Sequence, residues 1–257
     1  MARPVAAAMM SGDRAGPVRT VTAVGHRGDP YRFRENTLAS VRSALERGAD
    51  AVEIDVRLTR DGVPVLLHDS TLRRLWEHDR RLAELTHQEL DGLTGGAVPA
   101  LRDALAATDG ARLLIDLPGA TERSVRTVVA EVREGGAKDR VYYCAGPRTM
   151  LAVRAADPDA EIALTWTTLA PPRPTLLAAV RPRWLNYHFG LVSRALADRN
   201  HRDGLLVSAW TADTRRTMRR LIARGVDAIT TNRIDVLAAL LAAPAHRDPV
   251  RTAQEEP

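Results

Sequence analysis

The 257-residue sequence has one cysteine, Cys144, and therefore allows no intrachain disulfide. Its folding does not depend on an oxidising compartment. Lysine is almost absent: Lys138 stands alone among 37 basic residues, so the net charge of +5 is carried by arginine. Those arginines are scattered rather than gathered in a block, and aromatics make up only 4% of the chain. Nucleic-acid surfaces combine clustered cations with stacking rings, so this composition argues against such a partner. It remains compatible with attraction for small, phosphate-bearing anions. Long apolar runs are missing as well. The longest, Val236 to Ala245, falls far short of the roughly 20 residues of a membrane-spanning helix. The opening "MARPVAAAMMSGDRAG" holds only a short Ala/Met run, too weak for a secretory signal. A cytoplasmic location is the expectation. Residues 1–17 and 245–257, rich in Pro, Arg, Glu and small residues, are expected to be mobile tails around a unit spanning 18–244.

What is present is an ordinary globular mix, 45% hydrophobic and 27% charged. Short β-rich runs recur: "RTVTAV" (19–24), "AVEIDV" (51–56), "RLLIDL" (112–117), "RVYYCA" (140–145), "EIALTW" (161–166), "WLNYHF" (184–189), "LLVSAW" (205–210) and "AITT" (228–231). Several are continuously apolar, as suits strands covered on both faces by helices. Between them lie segments with helical rhythm. In 37–48, Leu38, Val41, Ala44 and Leu45 share a face; Asn36 is the expected N-cap and Gly48 the stop. "RGADAV" (47–52) and "RGVDAI" (224–229) echo each other at a helix-to-strand junction. Eight strands alternating with helices predict one (β/α)8 TIM barrel. A ninth run, "VPVLLHD" (63–69), is separated from the second strand by only "LTRDG". So short a connection makes a hairpin, not a parallel crossover, and predicts an extra antiparallel strand at the barrel mouth.

In such a barrel, chemistry gathers at the C-terminal ends of the strands. Strand one ends at His26-Arg27, strand two carries Glu53 and Asp55 on one face, and the hairpin strand ends at His68-Asp69. Strand three carries Asp116, strand six His188 and strand seven Trp210. Each has a bland reading: a lone His at a strand end is often structural, "EID" can pair with arginines, and Trp210 can be core. Together they say more. Three converging carboxylates repel each other without a cation, and hard oxygen donors suit Mg²⁺ or Ca²⁺. Two histidines can divide acid and base work near neutral pH, and Arg27 offers a fork for phosphate. These parts describe metal-assisted phosphoryl transfer.

The same residues carry a resemblance. "GHRGDPYRFRENTLASVRSALERGADAVEIDVRLTRDGVPVLLHD" resembles the signature region of the glycerophosphodiester phosphodiesterase family: HRG, ENT, ExD, then DGxPVxxHD, in that order. "VPALRDAL", "SAWTADT" and "RGVDAITTNR" resemble its later segments, so the similarity covers roughly 20–240. It implies a (β/α)8 barrel with an insertion after the HD strand, here about 70–98. It implies metal-dependent cleavage of glycerophosphodiesters, which are small molecules, to glycerol 3-phosphate and an alcohol. By motif position, His26 and His68 would be the acid/base pair, and Glu53, Asp55 and Asp116 the metal ligands. Arg27 would touch the phosphate, Glu35 would help order the site, and His188 and Trp210 would line the substrate region. The route it implies is attack on phosphorus by the substrate's own glycerol hydroxyl, through a cyclic phosphate. A lysophospholipase D-like activity, with Leu75 and Trp76 along an acyl groove, and a non-catalytic phosphodiester-binding barrel are the alternatives.

Two departures stand out. Where the family usually has Glu-x-Lys on the third strand, this chain reads Asp116-Leu117-Pro118. The shorter Asp116 implies a shifted cation or an intervening water, and Pro118 supplies no ammonium; other arginines, or His188 with Asn186, are the candidates to replace it. The last-strand motif, often Thr-Asp-x-Pro, reads Thr231-Asn232-Arg233-Ile234. Asn232 is expected to cap that loop without a charge.

Overall fold

The computed structural model describes residues 21–108 and 110–243; the expected tails at 1–17 and 245–257 lie outside them. Nine strands form: β1 (Thr22–His26), β2 (Ala51–Leu58), β3 (Pro64–Leu66), β4 (Arg112–Asp116), β5 (Val141–Ala145), β6 (Glu161–Trp166), β7 (Trp184–His188), β8 (Leu206–Trp210) and β9 (Ala228–Thr231). Eight of them are parallel and close on themselves, because β1 pairs with both β9 and β2. The fold is the expected (β/α)8 barrel. β3 is the extra strand, antiparallel to β2 with Val56 opposite Leu66 and Leu58 opposite Pro64.

Alternation along the strands decides what fills the barrel. On β2, Val52, Ile54 and Val56 face outward and join the large core beneath the helices. Ala51, of the opposite parity, joins Val24, Leu114, Tyr142, Cys144, Ala163, Trp184 and Ala228 in a second cluster inside the barrel. That cluster plugs the lower half. Two residues further along the same inward rows stand Glu53 and then Asp55 on β2, Asp116 on β4, Thr165 on β6, Asn186 on β7, Ser208 on β8 and His26 on β1. The interior thus changes from apolar to polar toward the C-terminal ends.

Two local details differ from expectation or explain it. The helix Leu38–Glu46 is capped by Thr37, whose hydroxyl accepts from Ser40 N; Asn36, the expected cap, has φ 56° and is used elsewhere. The paired "RGADAV" and "RGVDAI" segments do the same job twice. Asp50 accepts from Ala23 N at 2.7 Å, and Asp227 accepts from Val207 N at 2.8 Å. Each ties the start of one strand to its neighbour.

Between β3 and β4 the chain forms the short helices Arg73–Trp76 and His87–Thr94. Val65, Leu67, Leu72, Leu82, Leu85, Leu90 and Val98 make a separate small core there, with Trp76 against it. This satellite backs the hairpin strand and so supports His68.

Candidate active site

The end of β1 turns back sharply. Arg27 and Gly28 are both left-handed, at φ 56° and 91°, and a Cβ on Gly28 would overlap Ser40. Only glycine fits there. The turn points the Arg27 amide at Glu53 Oε2, 2.9 Å away. It also brings the guanidinium between two acids: Nη1 donates to Glu35 Oε1 at 2.8 Å, and Nε lies 3.0 Å from Asp55 Oδ2. Burial works against the Arg27 charge, but Asp55, Glu35 and Glu53 outweigh it and raise its pKa. Asn36 clamps Asp55 from the other side. Its Nδ2 donates to Asp55 Oδ2 at 2.8 Å, and its Oδ1 accepts from Asp55 N at 3.1 Å.

Glu53, Asp55 and Asp116 come together as expected, with one carboxylate oxygen of each within 4.8 Å of the others. Glu53 and Asp55 are buried. Asp55 and Asp116 sit side by side in the β2–β4 register, so the shorter Asp116 still closes the triangle. Burial, then Asp55 and Asp116, push the Glu53 carboxyl well above its ordinary range. Burial and Asp55 likewise push Asp116 to about 7. Carboxylates driven upward by one another are a donor set that fits a hard divalent cation.

His26 Nδ1 lies 2.8 Å from Asn232 Oδ1, and its Nε2 lies 3.9 Å from Glu53 Oε2. Asn232 was expected to cap a loop; it instead holds this ring. Its Nδ2 donates to Asp213 Oδ2 at 2.8 Å, and its backbone N to Asp213 Oδ1 at 2.9 Å. Asp213 only accepts, so the amide NH₂ faces it and the amide oxygen faces His26. The His26 proton is thereby fixed on Nδ1, leaving Nε2 with its lone pair. Burial and the Arg27 charge lower the His26 pKa, against the opposing pull of Asn232, Asp55 and Glu35. His68 follows the same plan. Its Nδ1 lies 2.7 Å from Asp69 Oδ1, while Asp69 Oδ2 accepts from Arg74 Nε at 2.6 Å. Arg74 also holds Glu35 through both Nη atoms, at 3.1 and 2.6 Å.

Asn232→Ala is expected to lower kcat by roughly 10–100-fold, the usual worth of a partner that orients a working imidazole. KM should change little, because no substrate contact is lost. Asn232→Gln, which keeps both an acceptor for His26 and a donor for Asp213, should recover part of the loss. Equal kcat in the alanine variant would show that the tautomer does not matter.

The mouth opens into a cavity of about 270 Å³, lined by His26, Glu53, Asp116, Asn186 and Trp210 among others. Trp210 Nε1 is buried without a hydrogen-bond partner among the described residues, so its wall carries a free donor. Asn186 is committed to Ser208 and Thr165, at 2.7 and 3.2 Å. His188 stands exposed at the rim, its ring 5.7 Å from Trp210 edge-on, and its Nδ1 accepts from Gly190 N at 3.3 Å. Sequence reasoning missed Asn36, Arg57, Arg74 and Asp213. Arg57 has a visible signal, since it continues the inward row of Glu53 and Asp55. Its Nε donates to the His68 carbonyl at 2.7 Å.

The chain is similar to proteins of known class. A glycerophosphodiester phosphodiesterase of Caldanaerobacter subterraneus is 26% identical over 239 residues, 85% of this chain and 96% of the relative. The crystal structure of a glycerophosphodiester phosphodiesterase from Agrobacterium tumefaciens superposes with a TM-score of 0.74 at 25% identity, over 85% of this chain and 99% of that one. An Oleispira antarctica phosphodiesterase, solved with its product sn-glycerol-3-phosphate, has the same fold, with a TM-score of 0.79 at 21% identity over 86% and 97% of the two chains. The model of the glycerophosphoryl diester phosphodiesterase family matches residues 26–236, and the chain belongs to that family.

Proposed function

We propose that this chain is a metal-dependent phosphoric diester hydrolase that cleaves glycerophosphodiesters to glycerol 3-phosphate and an alcohol. One observation carries this most strongly. Two imidazoles each have Nδ1 held by a side-chain acceptor and an Nε2 with no hydrogen bond among the described residues, at a barrel mouth that also holds three clustered carboxylates. No helix of the described residues is long and apolar enough to cross a membrane. A cytoplasmic location belongs to this proposal.

Glu53, Asp55 and Asp116 would hold Mg²⁺ or Ca²⁺, which when bound supplies positive charge beside the reacting phosphate. Arg27, already turned into the site by its left-handed backbone, adds a cation of the chain's own. His26 is the general base: its lowered pKa keeps Nε2 unprotonated near neutral pH. It takes the proton of the glycerol hydroxyl next to the phosphate as that oxygen bonds to phosphorus. His68, on the Asp69 carboxylate and open to solvent, protonates the departing alcohol oxygen as the P–O bond breaks. Water then opens the cyclic phosphate with the two roles exchanged, giving glycerol 3-phosphate. No protein nucleophile is needed.

The testing assay is glycerol 3-phosphate release from glycerophosphodiesters with Mg²⁺, with Ca²⁺ and with EDTA. Cation-dependent release supports the proposal, and no release from folded protein under either ion refutes it. The two roles separate by leaving group. A p-nitrophenol diester needs no proton on its leaving oxygen, so His68→Ala should lose at least about tenfold less activity on it than on an alkyl diester. Equal losses on both would remove His68 from the acid role.

A further inference from the structure

Beyond the mouth, past the Pro118–Gly119 wall that both spaces share, lies a second cleft of about 330 Å³. Arg57, Arg60, Ser70, Leu82, Arg123 and Ser124 are among its lining residues, and no Asp or Glu is. We infer that this cleft is the subsite for the leaving alcohol, and that Arg57 makes it favour alcohols carrying a further phosphate or carboxylate. The subsite rests on the diesterase function proposed above and names its substrate class.

Arg57 is held in place but not neutralised. Its Nε is fixed on the His68 carbonyl, which ties the guanidinium to the imidazole that faces the departing oxygen. Its Nη1 lies 3.6 Å from where a Cβ on Gly119 would stand, so the fork points at the wall between mouth and cleft. Among the described residues no carboxylate comes within ion-pair distance of it, and neither Nη atom has a hydrogen-bond acceptor. A half-buried fork lacking a partner gains most from a ligand anion.

The neighbouring cations differ. Arg60 is engaged with the Glu84 carbonyl and Glu89, at 2.8 and 3.2 Å. Arg123, exposed at the far side of the cleft, has no ion pair among the described residues. Arg57 and Arg123 are therefore the two cations free to meet an anionic group, one near the scissile bond and one beyond it. The opposite wall of the active site is acidic and takes the cation, phosphate and glycerol. The two spaces are thus sorted by charge, and a choline-like or ethanolamine-like alcohol enters the wrong one.

The experiment compares kcat/KM for four diesters with the full chain and saturating Mg²⁺. The alcohol is choline in glycerophosphocholine, uncharged in glycerophosphoglycerol, phosphate-bearing in 1,3-bis(glycerophospho)glycerol and carboxylate-bearing in glycerophosphoglycerate. The phosphate or the carboxylate arm, or both, should exceed the uncharged one by about 10–100-fold, the scale of one charge-assisted contact, with choline lowest. Whichever arm leads identifies the anion. Arg57→Gln should bring the anionic-to-uncharged ratio near one, Arg57→Lys should restore part of it, and Arg57→Glu should invert the order in favour of choline. Melting temperatures confirm that each variant is folded. A flat wild-type profile, or an anionic preference that survives Arg57→Gln, overturns the subsite while leaving the diesterase standing. No turnover of any of the four overturns both.

Discussion

Alanine at His26 should lower turnover by about 10²–10⁴-fold on the proposed role, the usual contribution of a positioned general base. The ring is held on one side by Asn232 at 2.8 Å and lies 3.9 Å from Glu53 on the other; in the proposed site that carboxylate is engaged by the cation, which leaves the base role to the imidazole. His26→Asn serves as the companion variant, because its amide can still donate to Asn232 and so spares the packing. Both should melt close to the wild type and both should be slow. The pH profile gives a second readout. Burial and Arg27 hold the imidazole below its ordinary range, so kcat/KM should fall with acid only below the usual histidine value near 6.5. A folded His26→Ala enzyme within threefold of wild-type kcat would exclude the base.

Chelation should remove activity and, in the same tube, reverse how stability responds to pH. The folded pKa of Asp116 is raised to about 7, against about 3.9 for an unfolded aspartate, and that of Glu53 is raised as well. A carboxyl raised by folding binds its proton more tightly in the native state. Its contribution is present at low pH and is lost as pH climbs through the folded value. In EDTA, then, the melting temperature should decline between about pH 4 and 7 on account of Asp116. Bound cation competes with those protons, so the stabilisation by Mg²⁺ or Ca²⁺ should grow over the same interval. Asp116→Asn should flatten the EDTA curve and weaken the cation response. Melting curves that coincide with and without cation at pH 8, together with activity indifferent to EDTA, would defeat the metal site.

How far the chain announces these features varies by residue. The barrel, the antiparallel strand and the carboxylate triangle follow from short-range regularities: apolar runs at strand length, a turn too short for a crossover, and a two-residue spacing on a pleat. Asn36 and Asn232 mislead for one reason. Asparagine before a helix or after a strand is a good cap by local rules, and only the closed barrel, which brings β9 beside β1 and β1 beside β2, hands one to His26 and the other to Asp55. Asp213 carries no local mark at all, since its role is to face an amide nineteen residues away. His188 is the reverse case. Its position at a strand end pointed to the substrate region, and the strand ends with its ring exposed beside Trp210.

The overhang of β2 has a consequence for motion. β2 continues beyond the barrel to pair with β3, a strand of three residues backed by its own small core. The hydrogen bonds that hold His68 in place thus belong to a smaller cooperative unit than those that hold His26 and the carboxylates. Small units open more often than whole domains do. Opening of that unit alone would leave the barrel intact and take His68 out of register with His26. On the proposed roles, being folded and being competent would then be separate conditions.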